Sequence, residues 1–403
     1  MRLRFFSPRI YIGCILGLCL TLVLHACQNP QAPQTPPTAP QTQQSTEQPL
    51  PPETAAIVNS AGPEGLLNPE RGDVRLVVIS DLNSVYGSTD YDPEVDKGIA
   101  LLPFWKPDMV VCSGDMVAGQ RPTLSEAQIK AMWAAFDDHV AAPLRRAKLP
   151  YGFTIGNHDA SGAVGIKGNF LFQNERDLAS AYWNQPDHDP GIKFIDKFEF
   201  PFYYTFEYKN IFFMAWDGSS HRIPKDKLEW VEKTLASPQA QQAKMRILLS
   251  HLPLYAVAVG RNQPGDVIEN ADEMREMLER YNVHTYISGH HHSYYPAHRG
   301  KLQLLHMGIL GSGPRPLIDA KIPPWKALTV VDIKFDSPEL TTYTTYDIRT
   351  LKVIENKQLP RFLAGHNGIL LRRDVEHQDL TAEEKSFCEQ RLGKKLCEHG
   401  LDG

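Results

Sequence analysis

Five polar clusters that could do chemistry each follow an apolar run of the chain. They are Asp81-Leu82-Asn83, Gly114-Asp115, Gly156-Asn157-His158-Asp159, His251-Leu252-Pro253 and Gly289-His290-His291-His292. Their donor atoms are carboxylate oxygens, amide oxygens and imidazole nitrogens, a set that suits Mn, Fe, Zn, Co or Mg. Because one carboxylate can bridge two cations, such a set can build the two-metal centre used in phosphoryl chemistry. The clusters therefore predict a metal centre, provided that the fold brings them together.

The apolar runs before these clusters are typical of buried β-strands. Predicted strands at residues 74–79, 108–112 and 151–155 alternate with helical patterns at residues 94–105 and 125–148. This alternation indicates the α/β class. Ligands collect at the carboxyl ends of strands in open α/β sheets, so we expect the clusters to meet in one crevice.

The second half of the chain is predicted to contain further strands and helices. The predicted elements are a hairpin at residues 202–208 and 211–216, helices at 224–235, 271–281 and near 382–391, and strands at 245–250, 283–287, 302–307, 328–335 and 340–347. We interpret residues 160–199 as an insertion beside the site.

Taken in order, the five clusters resemble the motifs of the calcineurin-like metallophosphoesterase superfamily. The family pattern is Asp-x-His, Gly-Asp, Gly-Asn-His-Asp or -Glu, a lone His and Gly-His-x-His, each after a strand. The clusters at Asp115, Asn157 and His290 match outright, and His251 fits the lone His. The resemblance covers about residues 73–347. It implies the family's α/β fold, in which two packed mixed β-sheets are flanked by helices.

The resemblance also implies two divalent or trivalent metal ions as cofactors, with Mn, Fe, Zn, Co and Mg all open. Asp115 would bridge the two ions. The remaining ligands would be Asp81 and His292 for the first ion, and Asn157, His251 and His290 for the second. His291 falls at the variable position and is expected to point elsewhere.

Two further residues take catalytic roles by the same resemblance. His158 would contact the phosphate and either stabilise the transition state or protonate the leaving group. Asp159 would orient His158 by accepting the proton of its other ring nitrogen.

The first cluster departs from the family pattern, because Asn83 stands where the family has His. Asn83 offers an amide oxygen, which is a harder and weaker ligand than imidazole, and Tyr86 is a second candidate for that position. Losing one nitrogen donor predicts that the first ion is bound more loosely or is a harder ion such as Mn or Mg.

These expectations predict a metal-dependent hydrolase of phosphoric esters in which a metal-bound hydroxide attacks phosphorus directly. A phosphomonoesterase is favoured. The alternatives are a phosphodiesterase of the same superfamily and a non-catalytic lipoprotein that binds metal or an anion. The substrate and the oligomeric state stay open.

The first 68 residues differ in composition from the rest. Residues 1–27 have a basic start, an apolar run and Leu24-His25-Ala26-Cys27, which resembles a bacterial lipoprotein signal. Residues 28–68, rich in Pro and Gln, are predicted to be a disordered tether. We therefore expect an exported protein anchored to the bacterial cell envelope through a lipidated Cys27, with a phosphoesterase domain at residues 69–350 and a partly helical C-terminal extension at residues 351–403.

Charge and cysteine content bound the remaining possibilities. The net charge of -5 argues against a general nucleic-acid binder, which would carry a basic excess. Cys112 lies in an apolar run and is predicted to be a core residue. Cys388 and Cys397 can form a local disulfide outside the cytoplasm or remain free thiols, and the sequence leaves both alternatives open.

Overall fold

The computed structural model describes residues 49–398. The predicted signal peptide, Cys27 and the first part of the predicted tether lie outside the described residues. Within residues 49–398, no helix is long and apolar enough to cross a membrane.

Fifteen strands form in residues 49–398. They are β1 (Val74–Ile79), β2 (Met109–Cys112), β3 (Tyr151–Phe153), β4 (Lys193–Glu199), β5 (Tyr203–Tyr208), β6 (Ile211–Ala215), β7 (Met245–Leu249), β8 (Thr285–Ser288), β9 (Tyr295–Arg299), β10 (Leu302–His306), β11 (Ala327–Ile333), β12 (Thr341–Asp347), β13 (Lys352–Val353), β14 (Phe362–Gly365) and β15 (Gly368–Arg372).

The strands form two mixed sheets, one of six strands in the order β13-β12-β11-β1-β2-β3 and one of nine in the order β14-β15-β9-β10-β8-β7-β6-β5-β4. In the first sheet β1, β2 and β3 are parallel neighbours, and in the second β6, β7 and β8 are parallel neighbours. Every residue of β1, β2, β3, β6 and β8 is buried, as expected for parallel strands covered on both faces. The predicted fold class is confirmed.

Twelve α-helices accompany the sheets in the described part of the chain. They are α1 (Pro52–Asn59), α2 (Pro93–Ala100), α3 (Leu102–Trp105), α4 (Glu126–Phe136), α5 (Ala142–Arg146), α6 (Asn157–Ala160), α7 (Gln173–Trp183), α8 (Lys225–Leu235), α9 (Pro238–Gln242), α10 (Ala271–Arg280), α11 (Ala382–Leu392) and α12 (Lys394–Glu398).

The helix predicted at residues 125–148 forms in three segments. Ser125 caps α4 through a capping box with Gln128, which satisfies amides at the start of the helix. A π-helical turn at Asp137–Ala141 then joins α4 to α5. The large apolar residues of α4, Ile129, Met132, Trp133 and Phe136, are buried as the helical spacing predicted.

The predicted tether does not extend as far as residue 68. Residues 52–59 form α1, and the hydroxyl of Thr54, which is buried, donates to the carbonyl oxygen of Ala100 at 2.7 Å. The low apolar content of the preceding segment concealed this helix. Its few apolar side chains, such as Ile57 and Val58, pack against the main core.

The predicted boundary at residue 350 is also wrong as a structural division. Residues 362–372 form β14 and β15, and β15 pairs antiparallel with β9 in the nine-stranded sheet. Cys388 and Cys397 form a disulfide between α11 and α12, while Cys112 is a buried free thiol, as predicted. The C-terminal segment therefore completes the sheet of the phosphoesterase domain.

Candidate metal centre

The polar clusters lie at the carboxyl ends of parallel strands in both sheets. Asp81, Asp115 and Asn157 follow β1, β2 and β3, while His251 and His290 follow β7 and β8. The two sheets are packed so that these ends face each other, and backbone bonds join them, for example from the amide of Gly311, after β10, to the carbonyl oxygen of Asp81, after β1, at 2.8 Å. The predicted crevice is present.

Four donor atoms converge on one side of this crevice. Oδ1 of Asn157 lies 2.9 Å from Nε2 of His251 and 2.8 Å from Nδ1 of His290. Nε2 of His251 is in turn 3.2 Å from Oδ2 of Asp115. Ligands bound about 2.1 Å from one cation at right angles are about 3 Å apart, so this spacing is that of a coordination shell.

A second group of donors lies on the other side of the crevice. Nε2 of His292 lies 3.3 Å from Oδ1 of Asp81. Asp81, Asp115 and His251 each offer a ligand atom, and these atoms lie within 4.8 Å of one another. Asp115 thus has neighbours in both groups, the position expected of a bridging carboxylate.

Asn83 and Tyr86, the two candidates for the missing imidazole, lie in different surroundings. Asn83 is 6% exposed, and its backbone amide donates to the carbonyl oxygen of Asp115. Tyr86 is 53% exposed, and its ring centroid lies 5.0 Å from that of His158. Tyr86 therefore borders the mouth of the crevice beside His158, and a ligand role for Asn83 stays a prediction.

Backbone carbonyls orient three of the imidazoles. Nδ1 of His251, His292 and His158 lies 2.8, 3.0 and 3.2 Å from the carbonyl oxygens of Ser113, Gly313 and Gly119 respectively. Since a carbonyl oxygen only accepts, each Nδ1 carries a proton, and Nε2 is the nitrogen that faces the carboxylates of the crevice. This arrangement prepares the Nε2 atoms of His251 and His292 for a cation.

The backbone around the centre is strained. Asp81, Asp115, His290 and His292 all have left-handed conformations, with φ values of 50°, 55°, 62° and 53°. Such a conformation costs a non-glycine residue roughly 1–3 kcal/mol. Close packing explains two neighbouring glycines, because a Cβ on Gly156 would lie 2.2 Å from Oδ1 of Asp115 and one on Gly289 would lie 2.5 Å from Oδ2 of Asp81.

The charges of the centre shift the pKa values of its members. Burial disfavours ionised Asp115, but His251 and His158 outweigh burial and hold the pKa of its carboxyl well below the usual range. Burial also opposes a charge on His251, yet Asp115 and Asp81 raise its pKa to about 9. Burial lowers the pKa of His290 to about 4. A proton on His251 therefore competes with a cation for the same nitrogen.

The predicted role of Asp159 is wrong. Its carboxylate accepts hydrogen bonds from the backbone amides of Asp115, Met116, Val117 and Gly156 at 2.6–2.9 Å. The hydrogen bond from Nδ1 of His158 is accepted by the carbonyl oxygen of Gly119 instead. Burial and the charge of Asp115 raise the pKa of Asp159 to about 7. Because α6 turns the Asp159 side chain back toward β2, this residue holds the loop of Asp115.

His291 points away from the crevice, as predicted. Its Nε2 lies 3.0 Å from the carbonyl oxygen of Asp266, and its Nδ1 accepts the amide of Val257 at 3.2 Å. Burial keeps the pKa of this imidazole well below its usual range. His291 thus links two loops as a neutral side chain.

Sequence reasoning missed several residues that support the ligands. Oδ1 of Asp266 lies 3.9 Å from Nε2 of His290, and the hydroxyl of Ser80 donates to Oδ2 of Asp81 at 2.5 Å. The position of Ser80 directly before Asp81 was an available signal. Asp266 lies in a loop with no motif, so nothing local in the sequence singles it out.

The residues present fit a bound cation. Oδ2 of Asp115 is fully buried and has no hydrogen-bond partner among the described residues. An ionised buried oxygen without a donor is costly, and a cation at that position would remove the cost. The oxygen and nitrogen donors around it match the ligand chemistry of the first-row divalent metals.

Comparisons with known proteins agree with this geometry. A family model described as calcineurin-like phosphoesterase matches residues 74–294. That segment contains all five clusters. No match is found among the curated proteins.

Among solved structures, the chain is similar to the purple acid phosphatase PPD1 from yellow lupin (Lupinus luteus) seeds, with a TM-score of 0.50, 17% identity and coverage of 72% of this chain. The match spans only 54% of the lupin chain. The chain is also similar to the Plasmodium inner-membrane-complex anchor GAP50, with a TM-score of 0.44, 12% identity and coverage of 79% of this chain and 94% of that one. A dimetal phosphatase from Danio rerio matches with a TM-score of 0.41, 13% identity and coverage of 66% and 94%. At 17% identity the likeness to the lupin structure shows the fold alone.

Proposed function

Because the chain belongs to the calcineurin-like phosphoesterase family, we propose that it is a metal-dependent hydrolase of phosphoric esters, and specifically a phosphomonoesterase. Two metal ions would be held by Asp115 together with the two donor groups of the crevice. The identity of the ions is left to experiment.

The position of Asp115 is the observation that carries this proposal. Its Oδ2 atom is buried and has no hydrogen-bond partner among the described residues, and it lies 3.2 Å from Nε2 of His251 and 3.9 Å from Nε2 of His158. A purely structural carboxylate at such a depth would be expected to have a donor on each oxygen. The lone pairs of Oδ2 are therefore available to bind a cation.

Among the side chains of the protein, His158 would act directly on the substrate. Its Nδ1–H is held by Gly119, so Nε2 is the nitrogen that can meet a substrate. With both nitrogens protonated, Nε2 would donate to a phosphoryl oxygen or to the departing oxygen of the ester. The side chain is 13% exposed, which leaves it within reach of a bound ester.

Bound cations would lower the pKa of a water molecule toward neutrality and offset the charge of the phosphoryl oxygens. Asp81, Asp115, Asn157 and the three histidines His251, His290 and His292 would hold them. The carboxylate of Asp159 would keep the Asp115 loop in place by accepting hydrogen bonds from the backbone amides of that loop.

A cavity of about 550 Å³ beside the crevice supports a substrate with one organic group. The wall of the cavity includes Gly162, which follows α6, and Asp217. Gly218, the neighbour of Asp217, accepts the backbone amide of Leu252 at 2.9 Å, directly after His251. The Arg and Lys side chains of the described lining are paired with carboxylates: Arg176 with Asp217 at 2.7 Å, Arg222 with Glu269 at 2.8 Å and Lys227 with Glu199 at 2.5 Å. An uncharged leaving group suits this lining better than a second phosphate.

We also propose that the protein is exported and anchored to the cell envelope through a lipid on Cys27. The N-terminal sequence pattern supports this, and the disulfide between Cys388 and Cys397 is of a kind found in oxidising compartments. Labelling with radioactive palmitate tests it. Label and membrane association should both be lost in Cys27→Ser; a membrane-associated variant would refute the lipid anchor.

Hydrolysis by metal-stripped full-length protein tests the main proposal. The protein would be resupplied with Mn, Zn, Fe, Co or Mg in turn and assayed with p-nitrophenyl phosphate and bis-p-nitrophenyl phosphate. We expect metal-restored hydrolysis, faster with the monoester, that is lost in Asp115→Asn.

Each other outcome has a defined meaning. Faster hydrolysis of the diester would identify a phosphodiesterase. Tight metal binding without hydrolysis of any ester would favour the non-catalytic binding protein. Hydrolysis that survives Asp115→Asn would refute the assignment of the centre.

A further inference from the structure

The orientation of the Asn157 amide decides whether this side chain can bind a cation. Its Oδ1 atom faces His251 and His290 at 2.9 and 2.8 Å. Rotation of the amide by 180° would exchange Oδ1 for the NH2 group, which has no lone pair to offer. The centre therefore requires a neighbour that selects one of the two orientations.

Gln120 is that neighbour. Nδ2 of Asn157 donates to Oε1 of Gln120 at 2.7 Å. Because Oε1 can only accept, it pairs with the NH2 group of Asn157 and turns Oδ1 toward the histidines. The Nε2 atom of Gln120 lies 3.5 Å from Oγ of Ser161.

The backbone of Gln120 is held in a strained conformation. Its φ of 64° lies in the left-handed region, which a non-glycine residue adopts at a cost. The carboxylate of Glu175 fixes this turn, because its oxygens accept the amides of Gln120 at 2.8 Å and Arg121 at 3.2 Å. Glu175 is only 4% exposed, so its contacts are shielded from water.

The turn at Gly119 and Gln120 is also hydrogen-bonded to α6. The amide of Gly119 donates to the carbonyl oxygen of His158 at 2.9 Å. A Cβ at Gly119 would lie 2.5 Å from that oxygen and 3.0 Å from Oε2 of Glu175. Gly119 and Gln120 are thus clamped between α6, which carries Asn157 and His158, and α7, which carries Glu175.

We propose that Gln120 is a positioning residue of the metal centre, which keeps Oδ1 of Asn157 on the second cation and is itself set by Glu175. The chain Glu175, Gln120 and Asn157 then connects α7 to the centre. The segment read from the sequence as an insertion is part of the metal site. This inference rests on the proposed function only in assuming that a cation binds there.

Metal affinity of the full-length protein tests the inference without reference to activity. Gln120→Met keeps the length of the side chain and removes the acceptor, whereas Gln120→Glu keeps an acceptor for Nδ2 of Asn157. Competition with a chelator for Mn or Zn should show one of two ions bound about 10- to 100-fold more weakly in Q120M. Q120E should bind both ions at least as tightly as the unmodified protein.

A matched substitution separates this role from a general effect. Gln173→Met makes the same change on the exposed side of α7, where Gln173 contacts Asp177, and should leave metal affinity unchanged. Equal affinity of Q120M and the unmodified protein would overturn the inference. Equal weakening in Q120M and Q120E would also overturn it, since loss of the acceptor would then be irrelevant.

A crystal structure of each metal-loaded variant gives a second readout that does not depend on stability. Oδ1 of Asn157 should contact the ion in the unmodified protein and in Q120E, and should be rotated away or replaced in Q120M. An unchanged Asn157 in Q120M would refute the inference. Metal binding without ester hydrolysis would refute the proposed function alone, because the effect of Gln120 on affinity would still be measurable.

Discussion

The carboxylate of Asp159 accepts the backbone amide of Asp115 at 2.9 Å, although 44 positions separate these residues in the chain. The same carboxylate accepts the amides of Met116 and Val117 at 2.6 and 2.9 Å. It therefore ties the end of β3 to the loop after β2. His158, its neighbour in sequence, is oriented by Gly119 instead.

Asp159→Asn should destabilise the protein, because an amide replaces one acceptor oxygen by an NH2 group facing backbone donors. Leaving buried amides unsatisfied costs about 1–3 kcal/mol, and the free energy of unfolding in urea should fall by that amount. Asp189→Asn is the control, since exposed Asp189 accepts only one described backbone amide, that of Gly191. Unchanged stability with a large loss of kcat would instead restore the role of orienting His158.

His158→Ala should lower turnover and leave the metal content unchanged. Its Nε2 atom is 3.9 Å from Asp115, outside the converging donors, so its loss removes a proton donor and no ligand. A positioned acid typically contributes about 10²- to 10⁴-fold, and kcat for p-nitrophenyl phosphate should fall within that range. Metal analysis of the same sample provides the check; loss of an ion would show that His158 is a ligand.

Asn83→His should tighten metal binding at the group formed by Asp81 and His292. The substitution offers an imidazole nitrogen where the buried side chain of Asn83 offers at best an amide oxygen. Chelator competition measures the affinity, with the exposed Asn184→His as the control. If the affinity of Asn83→His equals that of the unmodified protein, position 83 does not reach the ion.

His306 should make stability fall in mild acid. Burial lowers its pKa to about 4 from the ordinary value of about 6.5, so the folded protein keeps the imidazole neutral while the unfolded chain takes up a proton. The stabilising effect is complete above pH 6.5 and is lost as the pH falls from 6.5 toward 4, at about 1.4 kcal/mol per pH unit.

His306→Leu isolates this contribution, because the variant has no proton to take up at that position. The free energy of unfolding in urea should be measured for both proteins at pH 7, 6 and 5. As the pH falls, it should decrease more for the unmodified protein than for the variant. A difference in unfolding free energy that is constant over this range would contradict a depressed pKa for His306.

The sequence by itself determined the family, the fold class and the residues that gather at the crevice. Each depends on local information: the apolar runs of β1, β2, β3, β7 and β8 report burial, and a polar cluster follows each run directly. Within each sheet these strands are parallel neighbours, so their carboxyl ends lie at one edge. The resemblance to the family, which packs two such sheets together, implied that the two edges meet. Asp81, Asp115, Asn157, His251 and His290 could therefore be predicted to lie together without coordinates.

The sequence pattern failed where an element is short or polar. The helix α1 lies in a segment predicted to be a tether, and β15 lies in a segment predicted to be a partly helical extension. Both form because of partners far along the chain: Thr54 bonds to Ala100, and Leu371 pairs with His298. Local composition carries no information about such partners.

Only the tertiary structure decided which partners the polar residues of the clusters contact. The direction of a side chain is set by backbone geometry, as in the turn of α6 that points Asp159 at the loop of Asp115. Gln120 and Glu175 approach Asn157 only because α7 packs beside α6. A hydrogen bond needs its atoms within about 3 Å, and residues separated by dozens of positions reach that distance only when the whole core is assembled.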